Sequence, residues 1–130
     1  MSRAYKPEGY NDLSPYLIVD HAGQLIDFLK VAFAAEPLRV YADDEGAILH
    51  AEMRIGDSVM MLANSNPEWP AIQATLHLYV PDADAAYAAA LTAGATSVQA
   101  PSEREGDPDR RGTVEDPFGN TWSMGTQLNP

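Results

Sequence analysis

The chain carries one pattern twice. Tyr16-Leu17-Ile18-Val19-Asp20 and His77-Leu78-Tyr79-Val80-Pro81 open two segments about half the chain apart. After each, the hydrophobic periods follow the same order of strand, helix and three strands. In the first segment Leu13 to Val19 reads as a strand and Asp20 as the cap of a helix. Ala22, Leu25, Ile26, Leu29, Ala32 and Phe33 then recur at helical spacing, and Pro37 is read as the stop. Leu38 to Ala42, Ala47 to Ile55 and Ser58 to Ala63 read as strands, parted by Asp43-Asp44-Glu45-Gly46 and by the hairpin signal Gly56-Asp57.

The second segment repeats the order. Ile72 to Val80 reads as a strand, and Asp82 or Asp84 caps an alanine-rich helix with Tyr87 and Leu91 inward and Gly94 at its end. Thr96 to Gln99 follows as a strand, Pro101 to Arg111 as a charged loop, and Gly112 to Glu115 and Thr121 to Gln127 as a closing pair. The turn of that pair is Asp116-Pro117-Phe118-Gly119-Asn120, with proline and glycine where a reverse turn places them. The division is therefore one domain over 1–130: module one about 12–63, a linker at 64–71, and module two about 72–127. The class is α+β, built from two βαβββ modules.

Composition removes several functions. With no cysteine, disulfides, zinc–thiolate sites and thiol nucleophiles are excluded. Eight Lys and Arg against nineteen Asp and Glu give a net charge of −11, which repels phosphate backbones and anionic lipid. No nucleic-acid or membrane partner is expected, and a cationic ligand is favoured by long-range attraction. The polar stretch Met1 to Asn11 holds no apolar targeting core, so a cytoplasmic location is the expectation.

The repeat, together with Arg110-Arg111-Gly112-Thr113-Val114-Glu115-Asp116-Pro117-Phe118-Gly119-Asn120-Thr121-Trp122, resembles the vicinal-oxygen-chelate superfamily of glyoxalases, bleomycin-resistance proteins and extradiol dioxygenases. His50-Ala51-Glu52-Met53-Arg54-Ile55-Gly56-Asp57 and Ala93-Gly94-Ala95-Thr96 are similar to its PhnB-like branch. The branch usually has Gly-Asp-Arg-x-Gly before the last hairpin, whereas this chain has Pro108-Asp109-Arg110-Arg111-Gly112, with proline in the first glycine's place. The resemblance implies a cupped mixed sheet in each module, completion by a second chain in a homodimer, and a small molecule held on the concave face. It also implies a metal position, on the first and last strands of each module. Those positions fall on Ser14, Met61, Thr75 and Ser123. Hydroxyls and a thioether do not replace imidazole and carboxylate, so no metal and no other cofactor is expected.

Alternation sorts the remaining residues. Ala74, Leu76, Leu78 and Val80 are apolar and pack, which leaves Gln73, Thr75, His77 and Tyr79 for the cup. Trp122 and Met124 pack, leaving Ser123 inward; Leu17 and Val19 pack, leaving Tyr16 and Ile18. On Ser58 to Ala63 the family register, and not periodicity, turns Val59, Met61 and Ala63 inward. The ligand-lining set is thus Tyr16, Met61, Trp69, Thr75, His77, Tyr79 and Ser123, with Trp69, between Pro67 and Pro70, as a lid. Aromatic rings there suit a cationic or aromatic ligand.

His77 reads equally as a ligand-facing donor or base and as a hydrogen-bonded wall residue. His50 and Glu52 share a strand face whose ordinary reading is solvated or at a dimer contact; convergence with His77 would make a non-standard metal site. Asp107, Asp109, Arg110 and Arg111 are most simply a solvated loop. Function is thereby reduced to two classes. One is a receptor that holds a small molecule unchanged. The other is an enzyme of lyase, isomerase or dioxygenase type, using a relocated metal or acid–base chemistry with His77 as the candidate catalytic group beside Tyr79.

Overall fold

The fold is given by a computed structural model, which describes residues 4–129. The duplicated pattern becomes two four-stranded mixed sheets, each with one helix. Module one comprises β1 (Tyr16–Val19), α1 (Ala22–Phe33), β2 (Glu36–Ala42), β3 (Ile48–Ile55) and β4 (Ser58–Asn64), in the sheet order β1-β4-β3-β2. Module two comprises β5 (Thr75–Tyr79), α2 (Ala83–Thr92), β6 (Thr96–Glu103), β7 (Asp109–Glu115) and β8 (Thr121–Gln127), in the order β5-β8-β7-β6. In each, the first and last strands pair in parallel and the rest are antiparallel. The topologies are the same.

One core unites the halves. Leu17, Val19, Leu25, Leu29, Met53 and Leu62 from module one join Val114, Trp122 and Met124 from module two in a single buried cluster. Burying each such side chain contributes about 1.5–3 kcal/mol. The two helices pack on each other, and the ring of Phe33 at the end of α1 lies 4.9 Å from that of Trp122 on β8. Each sheet therefore turns one face to the helices and leaves the other open. Alternation decides which residues lie where: Leu17 and Val19 are buried while Tyr16 is exposed, and Trp122 and Met124 are buried beside half-exposed Ser123.

Several local expectations need correction. Asp20 does not cap α1; His21 occupies the cap position without a side-chain bond, and the Asp20 carboxylate instead accepts from the Ser65 hydroxyl at 2.5 Å. Pro37 does not stop the helix. α1 ends three residues earlier at Ala34, which adopts a left-handed conformation (φ 54°), and Pro37 lies inside β2. The first strand begins at Tyr16 and not Leu13, and the fifth at Thr75 and not Ile72. Leu91 is not inward but exposed on α2. Pro101 to Arg111 is not a loop, since β6 runs to Glu103 and β7 starts at Asp109. Asp82 does cap α2, accepting from the Ala85 N–H at 3.1 Å, and Gly94 ends it at φ 114°.

The turn between β7 and β8 is built on one carboxylate. Asp116 Oδ1 accepts from the Phe118 and Asn120 N–H groups at 2.8 and 3.0 Å. Oδ2 accepts from Asn120 Nδ2 and Trp122 Nε1 at 3.1 and 2.9 Å. Asn120 Oδ1 in turn accepts from the Ala74 N–H at 2.9 Å, which sets where β5 begins.

Candidate functional site

A cleft of about 830 Å³ opens on the face of module one that the helix does not cover. Its floor is Tyr16 and Ile18 of β1, Leu49 of β3 and Ala63 of β4; its wall is Trp69 and Ile72 of the connection between modules. The connection is pinned in place. The Ser65 N–H donates to the Val19 carbonyl at 2.9 Å and the Ile72 N–H to the Ile18 carbonyl at 3.1 Å. Between these anchors Asn66 and Trp69 exchange backbone bonds, and Asn66 Oδ1 accepts from the Glu68 and Trp69 N–H groups, both at 2.9 Å. That turn holds the Trp69 ring out, 66% exposed, above the floor.

Beside the cleft lies a chain of polar groups. Tyr16 on β1, Met61 on β4 and Glu52 on β3 stand in one row by strand register. Tyr16 Oη is 2.9 Å from His50 Nδ1, and His50 Nε2 is 2.9 Å from Glu52 Oε2. Tyr10, in the segment before β1, donates to Glu52 Oε1 at 2.5 Å. Arg39 Nε approaches the same oxygen at 3.9 Å, and the guanidinium stacks over the Tyr10 ring. Glu52 is buried, at 5% exposure. Burial acts to raise its carboxyl, but the hydrogen bonds from Tyr10 and His50 and the charge of Arg39 outweigh that and hold it below the usual range. Burial, and then the Glu52 charge, push the Tyr16 phenol up. Glu52 is thus an ionised acceptor and Tyr16 a neutral phenol. The expectation of a solvated strand face is wrong for Glu52.

The open face of module two is organised differently. Thr75, His77 and Tyr79 lie exposed on β5, opposite Thr121, Ser123 and Gly125 of β8. Asp109 is buried there at 2% exposure, accepting from the Tyr79 hydroxyl at 3.0 Å and from Arg111 Nη2 at 3.0 Å. Arg111 also bonds Asp107. The Asp109 bond raises the Tyr79 phenol, and the Arg111 bond lowers Asp107. Arg110 points elsewhere, to Asp84 on α2 at 2.7 and 3.0 Å. Three of the four charged residues expected in a solvated loop are thus strand residues, and Asp109 is not solvated. The His77 ring packs edge-on against Tyr79 at 4.7 Å.

The seven expected lining residues therefore divide. Tyr16 and Trp69 line the cleft, with Met61 half-buried in the row beside Tyr16. Thr75, His77, Tyr79 and Ser123 belong to the second sheet and line no part of it. His77 does not join His50 and Glu52: among the described residues no three His, Cys, Asp or Glu come together as metal ligands. At the family's metal positions the Ser14 hydroxyl takes the Asn11 amide at 3.1 Å, and Met61, Thr75 and Ser123 add one thioether and two hydroxyls. That donor set does not fit a divalent ion. Tyr10, Arg39 and Tyr41, which surround Glu52 and His50, escaped the sequence reading. Tyr10 sits in a segment without periodicity, and Asp109 in a charged run without apolar alternation, so neither carried a local signal.

The architecture and sequence are shared with known proteins. A 39% identical relative, the uncharacterized protein Mb0911c of Mycobacterium bovis, matches over 124 residues, 87% of this chain and 81% of that protein. A family model, the glyoxalase At5g48480-like C-terminal domain, matches residues 75–124. The chain belongs to the vicinal-oxygen-chelate superfamily. Within this superfamily the crystal structure of TioX from Micromonospora sp. ML1 superposes with a TM-score of 0.77 at 20% identity, covering 91% of this chain and 99% of TioX. TnmS3, an antibiotic-binding protein from Streptomyces sp. CB03234, gives 0.66 at 18% identity, covering 90% and 97%. Both share the two-module fold. Among the described residues no helix is long and apolar enough to cross a membrane.

Proposed function

We propose that this member of the superfamily is a cytoplasmic small-molecule receptor, that it works without the superfamily's metal, and that it holds an aromatic, cationic ligand in the cleft of module one. The carrying observation is the cleft itself: an open floor of Tyr16, Ile18 and Leu49 beside an exposed Trp69 on a hydrogen-bonded turn. Its lining includes the Asp43 carboxylate and no lysine, arginine or histidine, and a net charge of −11 draws cations toward it. TnmS3, an antibiotic-binding protein of the same fold, supports the same reading. Exposed Val40 and Tyr41 on the first sheet and Tyr79 on the second, all outside the cleft lining, support pairing of two copies.

Acid–base chemistry through His77 and Tyr79 has weaker support. The Tyr79 phenol is spent as a donor to Asp109, which makes it a poorer acid. The test is calorimetric titration with 1-naphthylmethylammonium. Saturable one-site binding is expected, weakened about tenfold in Trp69→Ala with stability changed by less than about 0.5 kcal/mol. Absence of saturable binding, or binding indifferent to Trp69→Ala, refutes the reading.

A further inference from the structure

The Glu52–His50–Tyr16 chain ends at the cleft, and its chemistry fixes which way each proton points. Glu52 carries two acceptor oxygens and no proton, so His50 Nε2, 2.9 Å away, must be the donor of that pair. A neutral imidazole with its proton on Nε2 has only a lone pair on Nδ1. The Tyr16 hydroxyl, 2.9 Å from Nδ1, must then donate to it. With its single proton spent, the Tyr16 oxygen offers only lone pairs to the cleft it lines. The reverse orientation would put two lone pairs face to face.

The other polar groups of the lining are committed in ways that sharpen this. Asn64 Nδ2 donates to the Asp20 carbonyl and the Ser65 hydroxyl to the Asp20 carboxylate. Asn64 Oδ1 accepts from the Ile48 N–H. The Asp43 carboxylate spends Oδ1 on the Glu45 and Ala47 N–H groups, leaving Oδ2 without a partner among the described residues. What remains for a ligand is acceptor capacity on Tyr16 and Asp43 and, at the other side of the lining, the donors Asn66 Nδ2 and Trp69 Nε1, over apolar and aromatic surface.

We propose that His50, held by Glu52, is a specificity-determining positioning residue: it keeps the Tyr16 hydroxyl proton turned toward Nδ1, so that at Tyr16 the cleft prefers ligands presenting an N–H or O–H donor, above all an ammonium, over those presenting only acceptors. This rests on the cleft being the binding site. Neither His50 nor Glu52 lines the cleft; both act through Tyr16. In their absence the phenol rotates freely and serves a donor or an acceptor equally well. An acceptor-only ligand, such as a carboxylate, would then find the hydroxyl proton that the intact chain withholds.

The experiment compares two probes of matched shape, 1-naphthylmethylammonium and 1-naphthoate, titrated calorimetrically at pH 8. They are run on the native protein, His50→Phe, Tyr16→Phe and the double variant. The native protein is expected to favour the ammonium. In His50→Phe the ammonium-to-carboxylate ratio should fall about tenfold, the size of one hydrogen bond to a charged group. The double variant should lose no more selectivity than Tyr16→Phe alone, because His50 acts only through that hydroxyl. Nitrogen-15 chemical shifts of His50 supply a readout without ligand: a protonated Nε2 and an unprotonated Nδ1 in the native protein, and loss of that single tautomer in Glu52→Gln. If both probes bind and the ratio is unchanged in His50→Phe, or if Nδ1 carries the proton, the proposal is overturned while the cleft remains a binding site. If neither probe binds the native protein, the cleft reading fails and the selectivity proposal with it.

Discussion

Removing the Asp116 carboxylate should destabilise the second module more than any charged surface substitution. Its four hydrogen bonds satisfy two backbone and two side-chain donors, and the side-chain donors have no other recourse. Asn120 is 0% and Trp122 2% exposed, so in Asp116→Ala neither Nδ2 nor Nε1 reaches water. Each stranded donor costs about 1–3 kcal/mol, and the backbone bonds add to that. Against this stands the recovered desolvation of one carboxylate. The net expectation is about 4 kcal/mol. For 130 residues the unfolding entropy at about 2.1 cal/mol/K per residue is roughly 270 cal/mol/K, which converts this loss to a melting shift of about 15 °C. Asp116→Asn should recover less than half, because its amide restores the acceptor for Phe118 and Asn120 N–H but sets an NH2 against two other donors. Urea unfolding followed by circular dichroism gives the free energy. A loss below about 1 kcal/mol in Asp116→Ala would refute the claim that these donors depend on one acceptor.

Two further expectations concern charged pairs on the same scaffold. Arg110→Ala breaks a bidentate pair joining β7 to Asp84 on α2, but the partners are 31% and 56% exposed at the side chain. The loss should be small and shrink further in high salt when measured by urea unfolding. Glu52, whose carboxyl is depressed in the fold, contributes stability that is present above its unfolded value and lost as pH falls through the folded one. The denaturation midpoint of the native protein should therefore decline below about pH 4.5 more steeply than that of Glu52→Gln; parallel declines would show that Glu52 is not selectively stabilised in its ionised form.

The fold was legible because it rests on periodicity. The apolar stripe from Ala22 to Phe33 coincides with α1, and the segment Thr121 to Gln127 with β8, since apolar spacing there reflects burial against a shared core. Errors arose where a local rule was overruled. Proline suggested the end of α1, yet the chain turns at Ala34, in a left-handed conformation that alanine seldom adopts and that glycine or asparagine would have announced. Asp109 and Arg111 read as loop residues because a strand of charges has no apolar alternation; only tertiary pairing with Tyr79 makes them structural. The candidate site was half legible. Tyr16 and Trp69 could be placed from alternation and from the proline-rich connection, but Tyr10 reaches Glu52 across 42 positions of sequence, a contact no local pattern encodes.

The two modules then differ in a way that bears on where a ligand sits. Their helix-facing residues are interchangeable in kind, Leu17 and Val19 against Leu76 and Leu78, as duplication under a packing constraint demands. Their open faces carry different electrostatics around the same device, a buried carboxylate accepting from a tyrosine. On module two the carboxylate is Asp109, and Arg111 pairs with it at 3.0 Å while also bonding Asp107. On module one the nearest guanidinium to Glu52 stands 3.9 Å off, and the carboxylate is instead relayed through an imidazole to a phenol at the cleft floor. The Asp109 carboxylate spends its contacts inside its own cluster, on Tyr79 and Arg111; the Glu52 carboxylate is linked through His50 to Tyr16, which lines the cleft. On the proposed reading, this division of chemistry between otherwise equivalent halves places recognition on module one, and the sign of the ligand's charge, more than its size, is then the property on which selectivity turns.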